Sequence, residues 1–521
     1  MSTSKSDIES ALMRGADSLR DTIDAANYKD YVLPLMFVKY LSDTYKEKVE
    51  ELEKTYEGMR LERQKRYLPF TVAEDCSFDT LYEQRYSDNI GQIINTALRQ
   101  IENDNNQQLS GVLNTTDYNS ENALGTREHK NAILRDLLED LYPLDLRPSQ
   151  IEVKEGEIPA DVIGDAYEYM IGQFASMAGK KAGSFYTPAA VSEIMAQIVD
   201  VKPGERVYDP TCGSGSLLIK AAKKENSNQV SIFGQEVNGS SVAMAKMNMY
   251  IHEIRDAKIA WGDTLANPMF KDEDGNLLTF DAIVANMPFS KDKWAAGFNP
   301  GGEAVGKGKK EFKMEATLDK HHRFDWGVPP SSKGDWAFLL HMIASASVSG
   351  RIAAVAPHGV LFRGAAEGRI RQKVVDENLL DAVIGLPENL FYGTPIPACI
   401  LVFKKNRTTK DVLFIDASGK DENGNLRYKK DKKQNVLEKA HIETIIKAYR
   451  ERKEIDSFCH VATLEEIKGN GYNLNIPRYV DNFEEEELLD IEEIKSNIAR
   501  LKSEIEEAEI QMEKYFKELG L

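Results

Sequence analysis

The chain of 521 residues is poor in several things, and each shortage excludes something. It holds four cysteines, Cys76, Cys212, Cys399 and Cys459. No two of them stand at CxxC spacing, so a structural zinc site is not expected. They read as reduced thiols of a reducing compartment, not as a disulfide framework. Cys459-His460 is an isolated pair of potential ligands, and the same spacing argument weighs against a metal there. No apolar run reaches the roughly 18 residues of a membrane-crossing helix. The stretch from Met1 to Lys5 leads into an acidic amphipathic segment and not into an apolar signal core. No membrane association and a cytoplasmic location are therefore the expectation.

Positive charge is also in deficit, with a formal net charge of −18. Phosphate contacts need Lys and Arg. A chain this acidic binds nucleic acid only if its cations cluster on one face or a partner supplies the grip. No region is rich enough in basic and aromatic residues to form a large DNA-reading domain. No PD…(D/E)xK nuclease constellation stands in a βαβ setting.

What is present is ample apolar material, 42% of the residues. The length exceeds one ordinary core and predicts two or three domains. Residues 1–155 read as a helical domain. Ile8, Leu12, Leu19 and Ile23 recur at near-helical spacing. The segment Tyr31 to Tyr45 predicts a buried helix with Pro34 in its first turn. Residues 103–106 and 114–122 are Asn-rich and predict loops.

From 156 to 480 short apolar runs alternate with helical patterns. Strands are expected at Arg206 to Tyr208, Val230 to Gly234, Ala257 to Trp261, Phe280 to Ala285, Arg351 to Ala356, Leu380 to Leu386 and Ala398 to Phe403. This alternation predicts an α/β fold with a parallel, doubly wound, Rossmann-like sheet. Such sheets place ligands at the carboxyl ends of their strands. The residues there are Asp209, Gln235-Glu236, Gly262-Asp263 and Asn286. Residues 481–521 differ again. Ile491, Ile494, Ile498, Leu501, Ile505, Ala508, Met512 and Leu519 step mostly by three and four within Glu and Lys. That is a coiled-coil-like helix suited to pairing with another helix.

Asp209-Pro210-Thr211-Cys212-Gly213-Ser214-Gly215-Ser216 follows a strand and opens a helix. Its glycines permit a sharp turn close to a ligand, and the helix start offers free N–H donors. Leu218 stands where a dinucleotide fingerprint would carry its third glycine. Asp209 suits a cationic ligand group. Glu236 suits two ribose hydroxyls, and Asp263 an adenine amino group. Together they point to a nucleoside-containing cofactor.

This segment resembles motif I of S-adenosylmethionine-dependent methyltransferases. Gly183-Ser184-Phe185-Tyr186-Thr187-Pro188 resembles the motif that precedes it in one amino-methyltransferase subgroup. The resemblance implies S-adenosylmethionine as cofactor, held by Ser184, Phe185, Tyr186, Thr187, Pro188, Asp209, Thr211, Cys212, Gly213, Ser214, Gly215, Glu236 and Asp263. Thr187-Pro188 also reads as a helix start, Thr at the N-cap and Pro at the first helical position.

Asn286-Met287-Pro288-Phe289 resembles the (Asn/Asp/Ser)-Pro-Pro-(Tyr/Phe/Trp) motif of DNA amino-methyltransferases, with Met287 where proline is usual. An exocyclic amine is a poor nucleophile because its lone pair is delocalised into the base ring. Accepting both of its N–H bonds localises that pair. The Asn286 side-chain oxygen and the carbonyl of Met287 are the two acceptors this resemblance implies. Pro288 stiffens the loop, and Phe289 offers a stacking face. A base inside a duplex must be flipped out to reach them, and Asn in the first position favours adenine. Phe391 is a candidate second stacking ring, with a core role the alternative. Trp336, in Asp335-Trp336-Ala337-Phe338, reads as core. Residues 301–313, rich in Gly and Lys, read as a loop that touches phosphates or is merely solvated.

Over most of its length the chain resembles the methylation subunit of type I restriction–modification systems. That resemblance implies double-stranded DNA as substrate and a specificity subunit that reads it. It further implies a restriction/translocase subunit and a second copy of this chain in one complex. The last helix becomes a candidate for subunit docking. A stand-alone adenine-N6 methyltransferase and a non-catalytic DNA- or partner-binding scaffold on the same fold are the alternatives.

Overall fold

The computed structural model describes residues 2–178, 186–223, 229–299, 312–431, 434–481 and 491–519. The chain forms two compact units, Met1–Val480 and Asp481–Leu521.

The first unit opens with helices. Lys5–Ser18 starts at a capping box, in which Ser4 Oγ accepts from the Asp7 amide and the Asp7 carboxylate accepts from that of Ser4. It buries Ile8, Ala11, Leu12, Gly15 and Ala16, one stripe at helical spacing. The next long helix, Tyr28–Glu53, is buried without interruption from Tyr31 to Thr44. It runs longer than the periodicity predicts, and Pro34 lies in its second turn instead of the first. Packing on all sides overrides the weak local signal. Lys39 and Asp43, one turn apart, form a buried ion pair at 2.6 Å, and Asp43 also accepts from the Leu146 amide at 2.8 Å. Asn103 and Asn106 lie in helical turns and not in a loop. The helical core continues through Pro159–Ala178 to Met244, Met247, Tyr250 and Ile251 of the helix Gly239–Ile251.

A sheet of nine strands makes up the rest: β1 Arg206–Asp209, β2 Ser231–Glu236, β3 Lys258–Trp261, β4 Phe280–Asn286, β5 Ala346–Pro357, β6 Leu380–Gly385, β7 Ala398–Lys404, β8 Val412–Asp416 and β9 Cys459–Ala462. Their order is β3-β2-β1-β4-β5-β7-β6-β8-β9. Strands β1 to β5 run parallel, while β7 is antiparallel to β5 and β6, and β9 to β8. The sheet is thus mixed at one side, where sequence alone predicts it parallel. Strands β8 and β9 are additions to the strands expected from sequence.

Side chains alternate between faces. Val207, Ile232, Ala282, Val284 and Val355 enter one core, with the helices Ala189–Val199 and Ser216–Lys223. Tyr208, Phe233, Ile283, Ala285 and Ala354 enter the other, with the helix Asp335–Ala344. This is the doubly wound arrangement. From β1 the chain builds outward to β2 and β3, then returns to place β4 on the other side. The crevice between β1 and β4 is therefore the switch point at which such folds bind ligands.

The second unit is described as one helix, Ile491–Leu519. No described helix is long and apolar enough to cross a membrane.

Candidate active site

Adjacent strands β1 and β4 end at Asp209 and Asn286. The turn after β1 is shaped by two glycines. Gly213 and Gly215 have φ of 52° and 78°, a region that disfavours any side chain. A Cβ on Gly215 would also stand 3.0 Å from Met249 Cε. The turn is tied down on several sides. The Thr211 amide donates to Asp209 at 2.8 Å, and the Cys212 amide to the Gln235 carbonyl at 3.1 Å. Asn248 Nδ2 donates to the Ser214 carbonyl at 3.1 Å.

Glu236, at the end of β2, accepts from the Gly213 amide at 3.1 Å and the Asn238 amide at 2.8 Å, one with each oxygen. Asp263 follows β3, and its Oδ1 accepts from the Leu265 and Ala266 amides. Burial pushes the Asp209 carboxyl up to about 8 and raises that of Glu236, because charge is disfavoured away from water. A cation beside Asp209 would restore its ionised form.

Two cavities meet here. One is lined by Tyr186, Thr187, Asp209, Thr211, Cys212, Gly213, Ser214 and Asn286, with Ser216 and Leu217. The other, about 230 Å³, is lined by Glu236 and Asp263, with Pro210, Thr264, Lys291, Trp294 and Phe338 among its walls. Thr211 and Asn286 line both, and Pro288 lines the second. Asn286 Nδ2 donates to Thr187 Oγ1 at 3.2 Å, so its donor end is occupied. No described residue donates to its Oδ1, nor to the carbonyl of Met287. The Thr211 hydroxyl reaches the Asn286 carbonyl at 3.5 Å.

The remaining residues singled out from sequence take other places. Ser184 and Phe185 lie outside the described residues, as does most of 301–313. Thr187 does not cap the helix Ala189–Val199, whose N-cap is Pro188; its hydroxyl is engaged with Asn286 instead. Pro188 is buried at that helix start, and Gly215 in the turn, and neither lines either of these two cavities. The Cys212 thiol faces the backbone of Gly234, where an added Cβ would meet it at 2.9 Å. Met287 packs its side chain into the core with Trp336. Phe289 is half-buried and meets the edge of Phe391 at 5.9 Å, while Phe391 itself is core. Lys291, Trp294, Thr264 and Phe338 reach the second cavity with no sequence signal beyond proximity to a motif.

The comparisons agree with this geometry. The profile of the N-6 DNA Methylase family matches residues 159–488, and that of the HsdM N-terminal domain residues 8–141. The chain is 33% identical over 528 residues to the type I restriction enzyme MjaVIII methylase subunit of Methanocaldococcus jannaschii, covering 99% of this chain and 85% of that one. It belongs to the type I methylation subunits. Another such subunit, MpnII of Mycoplasma pneumoniae, is 31% identical, with coverage of 94% and 92%. The crystal structure of a type I methyltransferase subunit from Streptococcus thermophilus aligns with a TM-score of 0.76 at 35% identity, over 92% of this chain and all of that one. This methylation subunit is therefore an S-adenosylmethionine-dependent N6-adenine DNA methyltransferase. Its site fits that cofactor. A buried carboxylate suits an ammonium, a second carboxylate at the end of β2 suits hydroxyls, and two joined cavities suit an elongated molecule with two polar ends.

Proposed function

We propose that this chain methylates N6 of an adenine flipped out of double-stranded DNA, as the modification subunit of a type I restriction–modification complex that thereby protects host DNA. The observation that carries the reading is Asn286, at the junction of both cavities with its amide donor end held by Thr187.

In this reading Tyr186, Thr187, Asp209, Thr211 and the backbone of Cys212 to Ser214 hold the amino-acid end of the cofactor. Ser184, Phe185, Pro188 and Gly215 complete or shape that end. Glu236 accepts from the ribose, and Asp263 faces the adenine. S-adenosylmethionine, when bound, supplies an electrophilic methyl carbon. Thr187 orients Asn286 so that Oδ1 accepts one N–H of the target amine, and the Met287 carbonyl accepts the other. The lone pair then localises and faces the cofactor. Phe289 stacks on the base. Holding both reactants in this geometry provides much of the acceleration.

The acidic chain takes its DNA affinity from a specificity subunit, which chooses the site. A second copy of this chain and a restriction/translocase subunit complete the assembly. The helix Ile491–Leu519, with Ile498, Leu501, Ile505 and Met512 about half exposed along it, docks to a partner helix. The domain division that goes with this reading is a helical domain 1–155, a methyltransferase domain 156–480 and a docking helix 481–521.

The test is labelled-methyl transfer to DNA with and without the specificity subunit, comparing wild type with Asn286→Ala. Transfer is expected only in the complex, with the variant losing about 10²-fold or more, the scale of a lost preorganised hydrogen-bonding group. Activity persisting in Asn286→Ala would refute the assignment.

A further inference from the structure

Directly after Phe289 the chain enters an uncommon conformation. Ser290 has φ of 51°, the left-handed region, without being glycine. Such a residue persists only where its surroundings hold it. Here the surroundings are a buried charge cluster that neither the cofactor nor the base contacts in the reading above. Asp335 is fully buried at the first position of the helix Asp335–Ala344, where free N–H groups favour a carboxylate. Its Oδ1 accepts from the Ser290 amide at 2.6 Å. Its Oδ2 accepts from Arg363 Nη1 at 2.8 Å.

The Arg363 guanidinium joins three groups. Nη1 also reaches Glu367 at 3.1 Å, and Nη2 reaches Ser290 Oγ at 3.5 Å. It lies flat on Gly359, where an added Cβ would fall 2.2 Å from Nη2. Arg363 is itself braced from behind. Arg371 donates to the Arg363 carbonyl at 2.8 Å, to that of Val360 at 3.2 Å and to that of Tyr472 at 2.7 Å. The chain beyond Ser290 is docked as well: the Gly334 amide donates to the Lys291 carbonyl at 3.0 Å, and the Lys293 amide to the Ser331 carbonyl at 2.9 Å.

Phe289 is half-buried, with one side packed on the core and the edge of Phe391 as its ring contact among the described residues. Its direction follows from the backbone of the next residue. We propose that Asp335 and Arg363 are positioning residues, a clamp that sets the Ser290 backbone and so aims Phe289 and the Met287 carbonyl at the target base. This inference rests on the proposed role of Asn286 to Phe289.

The experiment measures single-turnover methyl transfer by the assembled complex, alongside S-adenosylmethionine affinity by calorimetry, for wild type, R363A, R363K and D335N. R363A is expected to lower the transfer rate 10- to 100-fold while cofactor affinity changes less than threefold. R363K keeps the charge between Asp335 and Glu367 and is expected to recover part of the rate. D335N keeps an acceptor for the Ser290 amide and should lose less than R363A. If R363A does not fold, R363K and D335N decide by the same split. An unchanged rate, or rate and cofactor affinity falling together, overturns the clamp. Amide exchange of the peptide 286–295 separates the two readings. If wild type transfers no methyl group, the proposed function fails, and faster exchange in the variants still supports the clamp. Exchange equal to wild type overturns it.

Discussion

Asp209 illustrates how one residue's surroundings set its chemistry. Burial pushes its carboxyl up to about 8 despite the hydrogen bonds from Thr211. At pH 6 to 7 it is therefore mostly protonated in the free protein. A cationic ligand group placed against it favours the carboxylate and lowers that pKa. Cofactor binding should thus release a proton, and affinity should rise with pH until about 8. Calorimetry in buffers of different ionisation enthalpy checks this; no buffer dependence would remove Asp209 from the site. Asp209→Ala should weaken cofactor binding by about 1.5–3 kcal/mol, the range for a hydrogen bond to a charged group. The same measurement on Thr187→Val reads something else. It should lower the transfer rate by more than it lowers cofactor affinity, because the Thr187 hydroxyl holds the amide of Asn286 as well as lining the cofactor cavity.

Two elements respond to substitution for different physical reasons. The turn after β1 needs glycine for its backbone. Gly215→Ala forces a side chain into φ of 78° and against Met249, and is expected to destabilise by about 1–2 kcal/mol and to weaken cofactor binding. A thermal melt with and without cofactor reads both. The helix Tyr28–Glu53 instead depends on a charge pair. Lys39→Met leaves Asp43 buried without its cation, at a cost of about 3–5 kcal/mol. Denaturant unfolding should show it as a lower midpoint. Most of these elements were legible in the sequence. Strands β1 to β7 stood out as apolar runs, and their ends carried Asp209, Glu236, Asp263 and Asn286. Strands β8 and β9 were not among the strands read from the sequence, although they are no shorter than β1 and β3. The strand direction of β7 was not legible, because it depends on which neighbours it meets and not on its own residues.

At the scale of the whole molecule the two compact units predict separable behaviour. Removing 484–521 should leave the melting of 1–480 nearly unchanged while abolishing co-purification with the specificity subunit. Unchanged co-purification would place docking elsewhere. The deficit of positive charge makes the same point from another side: isolated chain should bind DNA weakly, and salt titration of the complex should report contacts belonging to its partner.

The sequence by itself determined the class of fold, and it supplied the proposals for a cofactor turn, a reacting motif and a helix suited to docking. These are local properties, set by periodicity, backbone freedom and residue type at strand ends. Only the tertiary structure decided where each motif residue sits and what it touches. It turned Met287 and the Cys212 thiol inward and took Thr187 from capping to holding Asn286. It also brought Asp335 and Arg363, far apart in the chain, to Ser290. Those outcomes depend on which side chains the switch point packs together, and no short stretch of residues encodes that.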